Sequence, residues 1–336
     1  MASVREIAKL AGVSTATVSR VLNNHPRVSD EARQRVMVVA NESRYVPTVG
    51  RRSTGNIAFM YTDKAFVDSP FDASVLQGVF ETLEQHELDL VMLHPSRGKR
   101  AQESYSQMLM RKGVQGVILR TTSSTRETCE QIASEGFPAV VVGDRFENSP
   151  LISVDCPSRD ATREAVEHLI ELGHRRIALA RNLVDDTDHQ DREAGYRDAL
   201  RAAGLQDDDR LILTAPAWRD SGAQMIRRIM TMTDRPTALV LTDPISCIGA
   251  MNECRSIGLE VPEHLSMVGF DDSDLRYSMY PVMSAVCQNA TRLGREAVEV
   301  LASVLNEPNP ERRPERTPIR AWFEVNGSTG PAPQSV

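Results

Sequence analysis

The sequence of 336 residues predicts an N-terminal all-α helix-turn-helix head followed by an α/β core of two doubly wound parallel-sheet subdomains. Two observations predict this division. The first 23 residues contain two short helical patterns that meet at Gly12. From Ile57 onward, short apolar runs alternate with longer helical segments, which is typical of parallel sheets covered by helices on both faces. This second stretch is long enough for two such sheets.

The first helix is predicted to begin near Val4. Ser3 and Glu6 have the spacing of a capping box, in which each side chain satisfies a backbone N–H at the start of the helix. Gly12 stands where a chain that leaves a helix often needs a left-handed residue. The apolar residues at helical spacing, which predict the buried face, are Ile7, Ala8 and Ala11.

The second helix is predicted to follow Ser14, which can cap it, and a third runs from Ser29 to about Arg44. Asp30 and Glu31 lie near the positive dipole end of the third helix. The predicted buried stripe of the second helix is Val18, Val21 and Leu22. The residues on or beside its outward surface are Thr15, Ala16, Thr17, Ser19 and Arg20.

The head is basic and the rest of the chain is acidic. Residues 1–52 hold nine Lys and Arg against four Asp and Glu, so they carry +5 and the remainder −12 of the net charge of −7. A basic head suits contact with the phosphates of DNA. Helix pairs with a glycine turn also occur as ordinary helical hairpins, and the charge favours DNA binding over that alternative.

The motifs of the head resemble those of a known family. Residues 11–23 read AGVSTATVSRVLN, and Val28-Ser29 and Tyr45-Val46-Pro47 follow them. In these motifs the chain is similar to the LacI/GalR family of bacterial transcription regulators. The resemblance implies a DNA-binding domain over residues 1–47.

The resemblance also implies roles for the second helix. Thr15, Ala16 and Arg20 match the positions that touch base edges in the major groove, where an arginine can pair bidentately with guanine. The residues expected to position the head on phosphates are Ser14, Thr17 and Ser19.

The linker over residues 48–56 departs from the family pattern. The resemblance implies a short hinge helix whose leucine enters the minor groove, but residues 48–55 read TVGRRSTG, with two glycines and no leucine. Each glycine costs a helix about 1 kcal/mol relative to alanine. We therefore predict a weak or absent hinge helix. Arg51 and Arg52 can still bind phosphate or enter a narrow minor groove, or they form only a basic linker.

The core elements are predicted from the alternating pattern. The predicted strands lie near 57–61, 88–93, 117–119, 139–142, 177–180, 238–241 and 267–270. The predicted helices lie near 73–87, 101–112, 125–136, 158–172, 189–203, 219–231 and 244–257.

The family core is similar to periplasmic sugar-binding proteins, and the resemblance extends over residues 57–326. It implies a first subdomain of about 57–157 with 285–320, and a second of about 158–284 with a last strand in 321–326. Residues 327–336 are small and polar, so we expect a disordered tail.

Candidate effector-binding residues follow the predicted strands, because ligands of open α/β folds lie outside the carboxyl ends of strands. Phe71 and Asp144 are of this kind. In the family, an arginine matching Arg192 holds the effector and an aromatic residue matching Trp218 stacks on it. The remaining candidates are Asp191, Asp243, Asp271 and Gln288.

These residue types suit a sugar, because vicinal hydroxyls pair with Asp or Arg and the apolar ring face packs on an aromatic side chain. Thr242 replaces the usual family asparagine, so a purine or another small metabolite stays open. Structural alternatives also stay open: Asp243 and Asp271 could cap helices, Phe71 could belong to the core and Trp218 could be a surface residue.

Other functional classes lack their motifs. The sequence contains neither GxGxxG nor GxxxxGK[ST] nor GxSxG, which disfavours nucleotide binding and hydrolase chemistry. The five cysteines have no CxxC pair, so we expect buried thiols in a reducing compartment and neither a metal nor a cofactor. No signal peptide or long apolar span is present, which argues against a periplasmic receptor or a membrane protein and for the cytoplasm.

Together these patterns predict a homodimeric transcription regulator, most often a repressor in this family, that binds a near-palindromic operator and a small effector. A single head reads too few base pairs for a genome, so two-fold symmetry is expected. The alternative is a sugar or metabolite binding module whose DNA binding is weak or non-specific.

Overall fold

A computed structural model describes residues 3–22, 28–43, 55–62, 69–94, 99–100, 103–121, 125–146, 149, 151–184, 186–271, 273–307 and 319–333. The linker for which a weak or absent hinge helix is predicted lies outside these described residues over 48–54, which include Arg51 and Arg52. The first core strand starts at Asn56, one residue earlier than predicted. Within the described ranges, no helix has the length and apolar composition that a membrane span requires.

The head consists of α1 (Val4–Ala11), α2 (Thr15–Leu22) and α3 (Asp30–Glu42). The predicted capping box is confirmed: the Ser3 amide donates to Glu6 Oε2 at 2.6 Å and the Glu6 amide to Ser3 Oγ at 3.3 Å. Gly12 ends α1 with a left-handed φ of 64°. The three helices bury a common cluster of Ile7, Ala8, Ala11, Val18, Val21, Val36 and Ala40.

The core contains two sheets, as predicted. The strands of the first are β1 (Asn56–Tyr61), β2 (Asp89–Leu93), β3 (Gly116–Arg120), β4 (Ala139–Val142) and β5 (Ile152–Val154), and all are parallel in the order β2-β1-β3-β4-β5. The strands of the second are β6 (Ile177–Asn182), β7 (Ile212–Ala215), β8 (Ala238–Leu241), β9 (Ser266–Asp271), β10 (Ser284–Cys287) and β11 (Trp322–Glu324). Their order is β11-β10-β9-β8-β6-β7, with β11 antiparallel.

Helices cover both faces of each sheet. The core helices are α4 (Pro70–Leu83), α5 (Tyr105–Arg111), α6 (Arg126–Ser134), α7 (Arg159–Glu171), α8 (Thr187–Ala202), α9 (Arg219–Met230), α10 (Pro244–Ser256) and α11 (Ala290–Asn306). On the first sheet, α4 and α11 pack on one face and α5 and α6 on the other. On the second sheet, α7 and α8 pack on one face and α9 and α10 on the other.

The boundary between the subdomains differs from the prediction near residue 285. The predicted first subdomain includes 285–320, but β10 pairs with β9 in the second sheet. The chain crosses to the first subdomain only after β10, where α11 packs on α4. The strand alternation did not reveal β5, β7, β10 or α11, which are additional elements.

The expected disordered tail is wrong for its described part, residues 327–333. Ser328 is fully buried, and its carbonyl accepts from the Met267 amide at 2.8 Å. The Gly330 amide donates to Ser266 Oγ at 3.0 Å, and the Gly330 carbonyl lies 3.1 Å from His174 Nε2. Small polar side chains let the tail enter this buried position and satisfy the backbone groups there.

Glycines allow the helix pairs to touch backbone to backbone. A Cβ at Gly78 would lie 1.8 Å from a carbonyl oxygen of α11, and a Cβ at Gly294 would lie 1.9 Å from a carbonyl oxygen of α4. Between α9 and α10, a Cβ at Gly222 or Gly249 would lie 2.0 or 1.7 Å from a carbonyl oxygen of the other helix. A Cβ at Gly195 of α8 would lie 2.3 Å from a carbonyl oxygen of α7. Any side chain at these positions would force the two helices apart.

Candidate DNA-binding and effector sites

The outward face of α2 has the predicted exposure. Thr15, Ala16 and Arg20 are exposed, whereas Val18 and Val21 are buried. Thr15, Ala16 and Arg20 are therefore accessible to a ligand outside the head.

The start of α2 is capped by side chains. Ser14 Oγ accepts from the Thr17 amide at 3.1 Å and lies 2.9 Å from Thr17 Oγ1. Ser14 is exposed, and Thr17 and Ser19 are half-buried. This end of the helix carries the positive end of the helix dipole, which attracts phosphate.

An ion pair joins the two subdomains at the carboxyl end of β4. The Arg145 guanidinium binds both carboxylate oxygens of Asp191 on α8, at 2.7 and 3.0 Å, and reaches Asp155 at 3.1 Å. The hydrogen bond from Arg145 to Asp191 raises the pKa of the guanidinium above its ordinary value. Asp191, a predicted effector ligand, is thus held by Arg145.

A second contact between the subdomains lies beside the first. Asp144 is fully buried, and its Oδ1 accepts from Thr187 Oγ1 at 2.6 Å and from the Arg145 amide at 2.9 Å. Burial raises the pKa of this carboxyl, although the hydrogen bond from Thr187 opposes the rise, and the nearby Asp186 carboxylate adds to it. The cleft between the subdomains therefore contains a buried carboxylate that draws its donors from both sides.

The start of α8 supplies a second group of buried charges. Asp186 caps α8 and accepts from the His189 amide at 2.9 Å and from His189 Nδ1 at 2.6 Å. Burial acts to raise the pKa of Asp186, but the His189 contacts outweigh it and hold the pKa at about 2.

Arg192, the predicted effector arginine, is buried one turn further along α8. Its guanidinium donates to the Thr242 carbonyl at 2.6 Å, lies 3.5 Å from Asp188 and stacks on Phe270 at 4.2 Å.

The side of the cleft opposite α8 is formed by the first subdomain. Arg120, the last residue of β3, donates to Asp72 at 2.7 Å and stacks on the Phe71 ring at 4.8 Å. Phe71 also packs against the core of this subdomain, so it combines the predicted ligand-facing and core environments. Tyr61, at the end of β1, interacts electrostatically with Asp72 and Arg120, and burial raises the pKa of its hydroxyl.

Two predicted effector carboxylates accept hydrogen bonds from the backbone amides that follow them. Asp243 Oδ1 accepts from the Ile245 and Ser246 amides at 2.9 and 3.2 Å at the start of α10, and burial raises the pKa of this carboxyl. Asp271 binds Arg276 at 2.7 Å and the backbone amides that follow it. Asp271 is therefore engaged by the loop after β9.

The last two candidates have opposite environments. Trp218 precedes α9 and is 65% exposed, as the surface alternative anticipated. Gln288 is buried, and its backbone N–H donates to the Asp271 backbone carbonyl at 3.1 Å. A ligand could cover Trp218, whereas Gln288 already lies inside the protein.

Several buried polar atoms around the cleft have no hydrogen-bond partner among the described residues. They are Tyr61 OH, Asp144 Oδ2, His189 Nε2 and Arg192 Nε. A buried polar atom costs about 1 to 3 kcal/mol when it lacks a partner. His189 Nδ1 is occupied by Asp186, so Nε2 is the nitrogen available to a ligand. The set can both donate to and accept from one small polar molecule.

Several residues of this arrangement were not predicted from the sequence. Tyr61, Asp72, Arg120, Asp186 and His189 were not among the predicted ligands. A signal was present for two of them: Arg120 ends a buried apolar strand, and Asp186 stands three residues before His189, the spacing of a helix cap.

The cysteines match their prediction as buried thiols. All five are free and buried, and burial raises the pKa of Cys129 to about 11 and that of Cys287 to about 12. Within the described ranges, no group of His, Cys, Asp or Glu has an arrangement that could hold a metal ion.

Comparison with known proteins connects these features to a family. Residues 3–48 match the family model "Bacterial regulatory proteins, lacI family", and residues 166–322 match "Periplasmic binding protein-like domain". A solved structure described as a transcriptional regulator CelR–cellobiose complex superposes with a TM-score of 0.70 at 28% identity, over 98% of this chain and 100% of that one.

Curated relatives extend the match over nearly the whole chain. The ribose operon repressor of Haemophilus influenzae is 30% identical over 318 residues, which cover 93% of this chain and 95% of that protein. The HTH-type transcriptional regulator DegA of Bacillus subtilis is 30% identical over 306 residues, 88% of each. The chain therefore belongs to the LacI family of bacterial regulatory proteins and is a DNA-binding transcription regulator with an effector-binding domain.

Proposed function

We propose that this regulator represses transcription as a homodimer on a near-palindromic operator in the cytoplasm, and that a small effector, most simply a sugar, binds in the cleft between its subdomains. Thr15, Ala16 and Arg20 read bases, and Ser14, Thr17 and Ser19 position the head on phosphates. The support for this assignment is the exposure of Thr15, Ala16 and Arg20 on a helix whose start is capped by Ser14, in a basic head.

The single observation that carries the effector site is the convergence of buried, unpartnered polar atoms on the cleft. Asp144 Oδ2 comes from the first subdomain, and His189 Nε2 and Arg192 Nε come from the second. A ligand that bonds to both sides stabilises one relative arrangement of the subdomains, which is what coupling to the heads requires.

A sugar fits this chemistry because each hydroxyl both donates and accepts. The Asp144 carboxylate can accept from a hydroxyl, and the Arg192 guanidinium can donate to one. Trp218 offers an exposed aromatic face for the apolar side of a ring. The names of the ribose operon repressor and of the CelR–cellobiose complex agree with this class of ligand.

A dimer explains the exposed apolar side chains of the core. Phe80 and Met92 are exposed on the first subdomain, and Ile257 and Tyr280 on the second, where Tyr280 is 92% exposed. In the proposed dimer, a second copy of the chain covers apolar side chains on both subdomains. Two heads held by such a contact supply the two half-sites of an operator.

Two measurements on the full-length protein test the proposal. Thermal unfolding in a panel of sugars and nucleobases identifies ligands, because a bound ligand raises the unfolding temperature by mass action. The affinity for an operator selected from random DNA is then measured with and without each ligand. A ligand that binds without changing operator affinity contradicts the coupling. Equal affinity for the operator and for random DNA, with the same salt dependence, favours the alternative of a binding module without sequence-specific DNA recognition.

A further inference from the structure

The guanidinium groups that line the cleft are committed to carboxylates. Arg120 binds Asp72 at 2.7 Å, and Arg192 lies 3.5 Å from Asp188 while it donates to a backbone carbonyl. An anionic ligand would have to compete with these internal carboxylates for each positive charge.

Arg145 is the accessible member of this set. Its side chain is 33% exposed, yet it is clamped by both oxygens of Asp191 and by Asp155. Bidentate pairing is also the geometry in which a guanidinium holds a phosphate. Asp191 therefore occupies the face of Arg145 on which a phosphate would bind.

Two carboxylates of the cleft differ from these arginines, because neither has a partner of opposite charge among the described residues. The hydrogen bonds that described residues make to Asp144 and Asp243 come from backbone amides and the Thr187 hydroxyl, and no described cation lies within 4 Å of either. Asp144 is fully buried, and its Oδ2 accepts no hydrogen bond from the described residues. Among the described residues, Asp144 and Asp243 thus form no ion pair, whereas Arg120, Arg145 and Arg192 each lie beside a carboxylate.

We infer that the cleft selects uncharged or cationic effectors and rejects anions such as sugar phosphates, and that Asp191 sets this selectivity by occupying Arg145. The inference rests on the proposed function, because it assigns the effector to this cleft. It assigns Asp191 a role different from the predicted one: Asp191 governs which ligands enter and is not itself their binding partner.

Inorganic phosphate is the probe, and isothermal titration calorimetry of the full-length protein is the measurement. Asp191→Asn removes the negative charge and one acceptor while it keeps the shape of the side chain. Asp191→Glu keeps the charge. Asp198→Asn is the matched control. Asp198 lies on α8, as Asp191 does, and it pairs with a different arginine, Arg159 of α7. All three variants contain the same head, so phosphate binding at the head contributes equally to each titration.

The expected result is phosphate affinity in Asp191→Asn that exceeds that of the wild type by roughly 10- to 100-fold, the range for one hydrogen-bonded charge. Asp191→Glu and Asp198→Asn should behave as the wild type does, and adding Arg145→Gln to Asp191→Asn should abolish the gain. If circular dichroism shows that Asp191→Asn does not fold, Asp191→Ala, which removes the same carboxylate from Arg145, takes its place in the titration.

Two outcomes would overturn the inference. One is wild-type phosphate binding that is as tight as that of Asp191→Asn and is lost with Arg145→Gln. The other is a folded Asp191→Asn protein that gains no phosphate affinity. Failure of the sugar panel would count against the proposed sugar effector alone, since the phosphate titrations contain no sugar.

Discussion

Replacing Thr187 by valine should open the cleft. Thr187 Oγ1 donates to Asp144 Oδ1 at 2.6 Å across the two subdomains, and valine keeps the shape of threonine without the hydroxyl. Asp144 is fully buried, so water cannot replace the lost donor while the cleft stays closed. In an open arrangement both residues meet water, so the loss of the Thr187 hydroxyl changes the free energy of that arrangement little.

The expected magnitude follows from the charge of the acceptor. A hydrogen bond to a charged group contributes about 1.5 to 3 kcal/mol. The Arg145 amide at 2.9 Å still satisfies Oδ1 in part, which favours the lower end of this range. The ratio of closed to open molecules should then fall by roughly 10-fold.

Small-angle X-ray scattering of the full-length protein reports this opening as a larger radius of gyration. Urea unfolding measured in parallel reports the lost stability. Thr187→Ser is the matched control because it retains the hydroxyl and should resemble the wild type in both measurements. A valine variant with the scattering and the unfolding midpoint of the serine variant would show that the hydroxyl does not hold the subdomains together.

Three further outcomes are expected. Arg20→Ala should reduce discrimination between operator and random DNA by about 1 to 3 kcal/mol in fluorescence anisotropy; an equal loss on both DNAs would make Arg20 a phosphate contact. Trp218→Ala should change stability by less than about 0.5 kcal/mol, because the side chain is largely exposed, but should weaken effector binding in calorimetry; an unchanged ligand affinity would remove the stacking role. Burial lowers the pKa of His174 below 6.5, so the unfolded chain binds the proton first and stability should fall as pH drops below about 6.5. Urea midpoints at several pH values measure this loss, and His174→Gln should show a weaker dependence.

The sequence was most informative where local physics decides the structure. The capping box at Ser3 and the glycine at position 12 predicted the first helix, because both act within a few residues. Buried parallel strands such as β4 read as continuous apolar runs. The edge strand β7 is half-exposed and the strand β5 is only 3 residues long, so neither produced such a run.

The site was predicted less completely, because its geometry depends on pairs that are distant in the chain. Arg145 and Asp191 are 46 residues apart, and nothing in either segment indicates which charge the other will meet. Family motifs indicated the region around Arg192 but could not show that Asp191 is held by an arginine. Only the fold reveals which polar atoms remain without a partner.

The glycine contacts between helices determine how the molecule can move. In the α4–α11 and α9–α10 pairs, the backbone of each helix fills the groove of the other, so sliding one helix past its partner would drive carbonyl oxygens into main-chain atoms. Shear within a layer is therefore blocked, and each subdomain is expected to turn as a rigid body. The remaining freedom lies in the three crossings near residues 155–158, 288–289 and 319–321. A signal from the cleft would then reach the heads as a rotation about these few bonds, with little change inside either subdomain.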